Sequence, residues 1–289
     1  MSVTQVDRRV RAGGGLDYQL GSYGISRLRF RGPRSALDRG QVAFVGGTET
    51  FGKFIERPFP ALVAERTGMA CINFGIVNAG LDAHLGDSAV MAACHDAALT
   101  VIEVTGAHNL TNRLYRVHPR RNDRFVRASP RLRELYPEVD FADFAFTRHM
   151  LAVLRATCAA RFEVVRAEAQ RVWVHRMREF ARELPVQPLV LWFADRPPGA
   201  AEEVHGAEPL FVTRAMLEEI RPAVRGILEI CPTPEIRARG RDRMVHAPGE
   251  AMAAAMMLGP GAHEAAAAAL AAELGHLLRG DLAERLRRA

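Results

Sequence analysis

The sequence predicts an α/β fold in which helices cover both faces of a parallel sheet. Short runs of apolar and β-branched residues recur along the chain, and each is followed by Gly, Pro or Asn. The segments between these runs carry apolar residues at helical spacing. A continuous apolar run, rather than an alternating one, is typical of a strand that is buried on both faces, as strands of parallel sheets are.

Five apolar runs are the predicted strands. In chain order they read QVAFVGG, ACINFGIVNAG, ALTVIEVTGA, PLVLWFADRPP and GILEICP. Between them, PALVAERTG predicts a helix that stops at Thr67 and Gly68, a longer helical pattern extends from Phe146 to Leu184, and HEAAAAALAAELGHLL follows the last strand. Because ligands bind beyond the carboxyl ends of parallel strands, function is expected at the Gly- and Asn-rich ends of the first three runs.

The chain is predicted to contain one main domain. Residues 1–40, with a Gly-rich stretch and the basic segment SRLRFRGPR, form an N-terminal lead-in, and residues 41–289 form the α/β domain. Residues 112–143 are long for a connection and rich in arginine, so we interpret them as an insertion that could act as a lid.

Composition excludes several classes of protein. The 48% hydrophobic and 25% charged residues are ordinary for a globular protein, and no apolar run is long enough to cross a membrane. The four cysteines are widely spaced and the N-terminus has no apolar signal segment, which predicts reduced thiols and a cytoplasmic location. No His, Cys, Asp or Glu cluster has metal-ligand spacing, so neither a metal nor a cofactor is predicted.

The net charge of +6 comes almost entirely from arginine, since Lys53 is the single lysine. The arginines lie in several blocks rather than along one helix face, so a nucleic-acid partner is not expected. The oligomeric state is left open.

The loop after the first strand has two interpretations. Gly47 to Lys53 fits GxxxxGK, a pattern in which backbone N–H groups hold a phosphate, and Gly46, Gly47 and Lys53 would then bind the ligand. However, Phe54 stands where a magnesium-binding Ser or Thr is needed, and Pro58 and Pro60 interrupt the helix that should follow.

The second interpretation is a family resemblance. GGTETFG resembles the GDSLTAG block of the SGNH (GDSL-type) hydrolase superfamily, with Thr48 at the nucleophile position. In the same order, FPALVAERTG resembles its YPALLAERLG helix, CINFGIVNAG its VVNAGVSGDT block and VIEVTGAHN its VVLELGTND block. The resemblance covers about residues 41–112.

This resemblance implies a three-layer α/β/α sandwich with a flavodoxin-like parallel sheet of about five strands. It also implies an oxyanion hole built from three loops around the nucleophile. Carried over to this chain, the nucleophile is Thr48, the second donor lies in the turn from Gly75 to Asn78, and the third is His108 or Asn109. Asn73 and Gly106, in the second and third blocks, are assigned to substrate binding.

The chain departs from the SGNH pattern in several places. Asn78 stands at the strict glycine of the second block, and His108 stands where the third block has asparagine, with Asn109 one place late. Threonine replaces serine at the nucleophile, Gly47 replaces aspartate, and the C-terminal Asp-x-x-His pair is not recognisable. His263 is the candidate base, with His246 as an alternative, because a hydroxyl without a base is a poor nucleophile.

The arginine-rich insertion is a candidate anion site. Arg113, Arg120 and Arg121, with Arg116, His118 and Arg124 around them, could clamp a carboxylate, phosphate or sulfate through their guanidinium groups. The alternative is a solvated surface or ion pairs with nearby acidic residues.

Three functions remain open from the sequence. The first is an SGNH-like hydrolase or acyl or O-acetyl transferase that acts on a polar, anionic small molecule or glycan. The second is a sulfo- or phosphoryl-group transferase that uses the Gly-rich loop and the arginines. The third is a catalytically degenerate SGNH fold that binds a glycan or a protein partner.

Overall fold

A computed structural model of the chain describes residues 14–33, 37, 40–199 and 208–288, with side chains to residue 277. Its centre is a five-stranded parallel sheet in the order β2-β1-β3-β6-β7. The strands are β1 (Val42–Gly46), β2 (Cys71–Gly75), β3 (Leu99–Glu103), β6 (Leu189–Phe193) and β7 (Gly226–Ile230). Each lies within one of the five predicted runs, and the predicted α/β/α fold is confirmed. A separate antiparallel hairpin consists of β4 (Tyr115–His118) and β5 (Arg121–Ala128).

Eleven helices are present in the described part of the chain. They are α1 (Thr48–Phe51), α2 (Phe59–Thr67), α3 (Leu81–Leu85), α4 (Ser88–Asp96), α5 (Pro130–Leu135), α6 (Thr147–Thr157), α7 (Ala159–Arg182), α8 (Arg214–Ile220), α9 (Pro234–Ala238), α10 (Ala251–Ala255) and α11 (Pro260–Arg288). The helical pattern predicted from Phe146 to Leu184 is divided between α6 and α7 at Cys158, whose backbone is extended. No helix in the described ranges combines the length and apolar character that a membrane span needs.

Alternate residues of the strands point to opposite faces of the sheet, and each face has its own hydrophobic layer. Phe74 and Trp192 point to the side covered by α4, α7 and α8, where Trp173 of α7 is fully buried. Phe44 and Leu191 point to the opposite side, which α2 and α11 cover. This alternation on a fully buried sheet places a helix layer on each face, and all five carboxyl ends of the strands lie at one edge.

The hairpin has a small core of its own. Tyr115 and Phe125 face inward and pack against α5, α6 and the first turns of α7, where Tyr136 and Met150 are fully buried. The arginine-rich segment is therefore a folded β-hairpin that rests on helices.

The described part of the N-terminal lead-in packs on the domain. Tyr23 and Phe30 form edge-on ring contacts with Phe74 of β2. Arg31 donates to the carbonyl groups of Gly52 and Glu56, each at 2.6 Å, and its burial lowers the pKa of this guanidinium to about 10. Residues 1–13, 34–36, 38 and 39 of this predicted segment lie outside the described residues.

Candidate functional site

The loops after β1, β2 and β3 meet at Thr48. Thr48 is the first residue of α1, and its side chain is half-buried. Its Oγ1 accepts a hydrogen bond from the backbone N–H of Asn78 at 3.0 Å and donates to Asn78 Oδ1 at 3.3 Å. The hydroxyl predicted to be functional therefore lies at the carboxyl edge of the sheet and is held by the loop after β2.

Asn78 itself is held by the third loop. Its φ of +58° is left-handed, a conformation that asparagine tolerates better than most residues. The side chain of Asn109, which is buried, donates from Nδ2 to the backbone carbonyl of Asn78 at 3.0 Å. We call Thr48, Asn78 and Asn109 the rim. Oδ1 of Asn109 has no hydrogen-bond partner among the described residues.

A buried carboxylate beneath the rim fixes the first loop. Glu103, at the end of β3, is 6% exposed. Its Oε2 accepts from the backbone N–H groups of Gly47 and Thr50, both at 2.9 Å, and from the Thr50 hydroxyl. These residues flank Thr48, so Glu103 sets the position of the Thr48 backbone. Burial raises the pKa of Glu103 to about 7, although its bonds to Thr50 oppose that shift.

Sequence reasoning missed Glu103. The sequence did carry a signal for this residue, because Glu103 is an acidic residue within an otherwise apolar run. Such a residue is seldom buried without partners. Its partners lie about fifty residues earlier in the chain, and no local pattern connects the two segments.

Two glycines predicted to bind substrate allow this close contact. A Cβ at Gly46 would collide with the carboxylate of Glu103 and with the hydroxyl of Thr50. A Cβ at Gly47 would lie 3.2 Å from Cγ2 of Thr105. The glycines therefore let the β1 loop approach β3, which is a packing role beside any ligand role.

Asn73 connects β2 to α1. Its Nδ2 donates to the carbonyl of Thr50 at 2.7 Å, and its Oδ1 accepts from the N–H of Gly75 at 2.8 Å. Both polar ends of this predicted substrate-binding side chain are engaged by the backbone of the protein.

His108 faces a different group of residues. It is 2% exposed, and its Nε2 lies 3.8 Å from Oε1 of Glu208, which also pairs with Arg148. Burial lowers the pKa of His108 to about 4, and the carboxylate of Glu208 opposes this shift only in part. A Cβ at Gly106 would lie 2.6 Å from Nδ1 of His108, so that glycine accommodates the imidazole. Of the two predicted third donors, it is Asn109 that contacts Asn78.

The candidate base His263 lies in the hydrophobic interior. It is fully buried at the start of α11, next to the rings of Phe59 and Phe193. Its Nδ1 accepts from the N–H of Phe59 at 3.2 Å, and its Nε2 lies 3.5 Å from the carboxylate of Glu49. Glu49 also accepts from the N–H of Leu258 at 3.3 Å. The imidazole is thus directed at the residue after Thr48 rather than at the Thr48 hydroxyl.

The alternative base His246 is also engaged elsewhere. Its Nδ1 lies 3.0 Å from the carbonyl of Ala247, and its ring packs against Phe54. Within the described ranges, no histidine nitrogen is hydrogen-bonded to Oγ1 of Thr48.

Lys53 and Arg113 are paired with acidic residues. The ammonium of Lys53 lies 3.6 Å from Glu250 and 4.6 Å from the centre of the Phe54 ring. Arg113 donates from Nε at 3.0 Å and from a terminal nitrogen at 2.6 Å to the two carboxylate oxygens of Glu168. These contacts direct both cations at protein carboxylates, and the ligand-binding role predicted for each stays a prediction.

Arg120 and Arg121 occupy the tip of the β4–β5 hairpin and are exposed. The hairpin is anchored beside the rim by the buried side chain of Asn122, whose Oδ1 accepts from the N–H of Gly80 at 2.9 Å. Gly80 lies two residues after Asn78, so the hairpin tip borders the loop that holds Thr48.

The described residues contain no group of three His, Cys, Asp or Glu side chains placed to hold a metal ion. The rim offers a hydroxyl and side-chain amides, which are hydrogen-bonding partners for a ligand oxygen.

Comparisons with the curated proteins and with the solved structures find no match to this chain, so the resemblance to SGNH hydrolases stays a prediction. One family model, described as a domain of unknown function, matches residues 5–278, which is nearly the whole length. The chain belongs to this family, DUF6473.

Proposed function

We propose that the protein binds a small polar ligand through a carboxylate or acyl oxygen at the rim, and that it does so without the histidine-assisted acyl transfer of SGNH hydrolases. The observation that carries this proposal is the bonding of Thr48. Both hydrogen bonds of its Oγ1 in the described structure are to Asn78.

Acyl transfer by a hydroxyl needs a base within hydrogen-bond reach, because an unassisted alcohol stays protonated near neutral pH. His263 is buried against Glu49 and Phe59, and His108 lies beside Glu208. With neither imidazole on Oγ1, the hydroxyl is better suited to donate or accept a hydrogen bond than to attack a carbonyl.

The position of the rim supports ligand binding. Thr48 and Asn78 are accessible to solvent, whereas Glu103, Asn73 and Asn109 hold the loops from beneath. A polar group held rigidly at the carboxyl edge of a parallel sheet is the usual placement of a binding site in this class of fold.

The test is a titration with acetate followed through backbone and side-chain amide signals. We expect the amides of Asn78 and Asn109 to shift in the native protein. Thr48→Ala should weaken acetate binding about tenfold, which corresponds to one lost hydrogen bond to a charged group. Thr48→Ser keeps the hydroxyl and should bind nearly as well as the native protein.

The matched control is Thr157→Ala, which removes an exposed threonine hydroxyl at the end of α6. It should leave acetate binding unchanged. If acetate moves no rim signal, or if Thr48→Ala and Thr157→Ala behave alike, the rim is not the binding site.

A second candidate, an SGNH-like hydrolase or acyl transferase with Thr48 as nucleophile, is favoured by one observation. The N–H of Asn78 lies 3.0 Å from Oγ1, where the resemblance places an oxyanion-hole donor. Hydrolysis of 4-nitrophenyl acetate separates the two functions. Turnover that falls at least a hundredfold in Thr48→Ala and survives in Thr48→Ser would favour the enzyme, whereas turnover no faster than buffer favours the binding protein.

A further inference from the structure

The outer face of the β4–β5 hairpin carries an unusual concentration of positive charge. Residues 115–128 contain five arginines and one aspartate, a net charge of +4 within a chain whose total is +6. Arg116, Arg120, Arg121 and Arg127 are all exposed. We call these four residues the arginine face.

The arginine face is not neutralised by the residues that the structure describes. In the part of the chain that the structure describes, none of its four members has an ion pair or a side-chain hydrogen bond. Several arginines elsewhere do lie against a carboxylate, among them Arg57, Arg161 and Arg214. Of the two alternatives to an anion clamp, ion pairs with described acidic residues do not form at these four arginines, and a solvated surface stays open.

Two of these arginines are opposite each other. Arg116 of β4 pairs in register with Arg127 of β5, where side chains of an antiparallel pair are about 5 Å apart at Cβ. Like charges at such positions are destabilising. His118 is likewise opposite Arg121, which extends the basic surface toward the hairpin tip. A bound anion between the strands would remove the repulsion, because a guanidinium group binds a carboxylate or sulfate in a bidentate manner.

We infer that the arginine face binds an acidic polysaccharide, through carboxylate or sulfate groups spaced along the sugar chain. Arg121 and Arg127 are six residues apart on β5, about 20 Å along an extended strand, and Arg116 lies opposite Arg127, so several anionic groups of one chain can be contacted at once. The site is distinct from the rim and does not depend on Thr48.

The same surface is a poor fit for single-stranded nucleic acid, which is held by aromatic stacking as well as by charge. Tyr115 and Phe125 of the hairpin face the interior. The nearby exposed ring of Phe146 is covered by the guanidinium of Arg124, 4.0 Å from its centre. The outward residues of the two strands include no Phe, Tyr or Trp.

The experiment compares three probes by calorimetry at 50 and 200 mM salt: a heparin hexasaccharide, an oligogalacturonate of the same length and a twelve-residue oligothymidylate. We expect at least one of the two acidic glycans to bind more tightly than the oligothymidylate, with an affinity that falls as salt rises. Oligogalacturonate carries carboxylates alone and heparin carries both carboxylates and sulfates. Binding of both glycans therefore shows that carboxylates are sufficient, whereas binding of heparin alone shows that the sulfate groups are needed.

The test variant is Arg116→Gln with Arg127→Gln, and the matched control is Arg66→Gln with Arg155→Gln, two exposed arginines that also lack partners in the described chain. Both variants lose the same charge. The test variant should bind the glycan at least tenfold more weakly and the control within twofold of the native protein. The melting temperature of the test variant should equal or exceed that of the native protein, because the repulsion between Arg116 and Arg127 is removed. A loss of binding in this variant could then not be attributed to misfolding.

Three results would overturn the inference. They are no binding of either glycan at millimolar concentration in 50 mM salt, equal losses in the test and control variants, and oligothymidylate binding as tight as that of the glycans. The last result would assign the surface to nucleic acid.

Discussion

Replacing Glu103 by alanine is expected to destabilise the protein by about 3 kcal/mol at pH 6, because three buried donors lose their acceptor. These donors are the N–H groups of Gly47 and Thr50 and the hydroxyl of Thr50. The same change should release the β1 loop and so weaken ligand binding at Thr48. Urea unfolding at pH 6 measures the stability, and the acetate titration measures the effect on the rim.

Glu103→Gln is the matched variant, since its amide oxygen still accepts from the two backbone N–H groups. It should unfold within about 1 kcal/mol of the native protein at pH 6. A loss as large as that of the alanine variant would show that an amide cannot replace the carboxyl group of Glu103 in these contacts.

The raised pKa of Glu103 predicts a pH dependence of stability. In the unfolded chain the carboxyl loses its proton near pH 4.5, whereas in the folded protein it holds the proton to about pH 7. The folded state therefore binds more protons between these values, and the contribution of Glu103 to stability is complete below pH 4.5 and declines as pH rises to about 7. The expected decline is on the order of 3 kcal/mol.

Glu103→Gln has no proton to lose and should not show this decline. The measurement is the difference in the free energy of unfolding between the native protein and the variant, taken at pH 5, 6, 7 and 8, in which shared titrations cancel. A difference that stays constant across this range would contradict the assigned pKa.

The second large effect is expected for Gly75→Ala, which should destabilise the protein by about 2–4 kcal/mol. A Cβ at Gly75 would collide with the backbone N–H of Phe51 and lie 2.6 Å from the backbone carbonyl carbon of Thr50. Backbone atoms cannot rotate away as a side chain can, so β2 and α1 would have to separate. The Asn73 bond to Thr50 would be strained by the same movement.

The control for this substitution is Gly249→Ala. A Cβ at Gly249 has no heavy atom within 4 Å, and its φ is not left-handed. The variant should unfold within about 0.5 kcal/mol of the native protein. Equal stability of Gly75→Ala and Gly249→Ala in urea would show that α1 does not pack on β2 as closely as described.

The positions of the five central strands followed from local pattern. Val42–Gly46 and Leu99–Glu103 are continuous apolar runs, and a run of that kind is stable only with helices on both sides. The glycines and asparagines at the strand ends likewise marked the edge at which Thr48 and Asn78 meet. The hairpin was not foreseen as a strand pair, because its β-bulges break the alternation on which strand prediction depends.

The direction of each polar side chain was beyond local pattern. His263 was a reasonable candidate base by its place at the start of the last helix, yet packing seals it between Phe59 and Phe193. Arg113 and Arg121 are near neighbours in one basic segment. A carboxylate from α7 neutralises Arg113, while Arg121 has no ion pair with any residue that the structure describes.

The sequence by itself determined the layered sheet, its order of strands and helices, and the edge at which the polar loops lie. These features depend on hydrophobic periodicity and on glycines at the ends of strands, which are patterns of a few residues. Only the tertiary structure decided which side chains meet there. The hydrogen bond between Gly47 and Glu103 joins residues 56 positions apart in the chain, and that between Phe59 and His263 joins residues 204 positions apart. Contacts between residues so far apart in the chain depend on how the helices pack on the sheet.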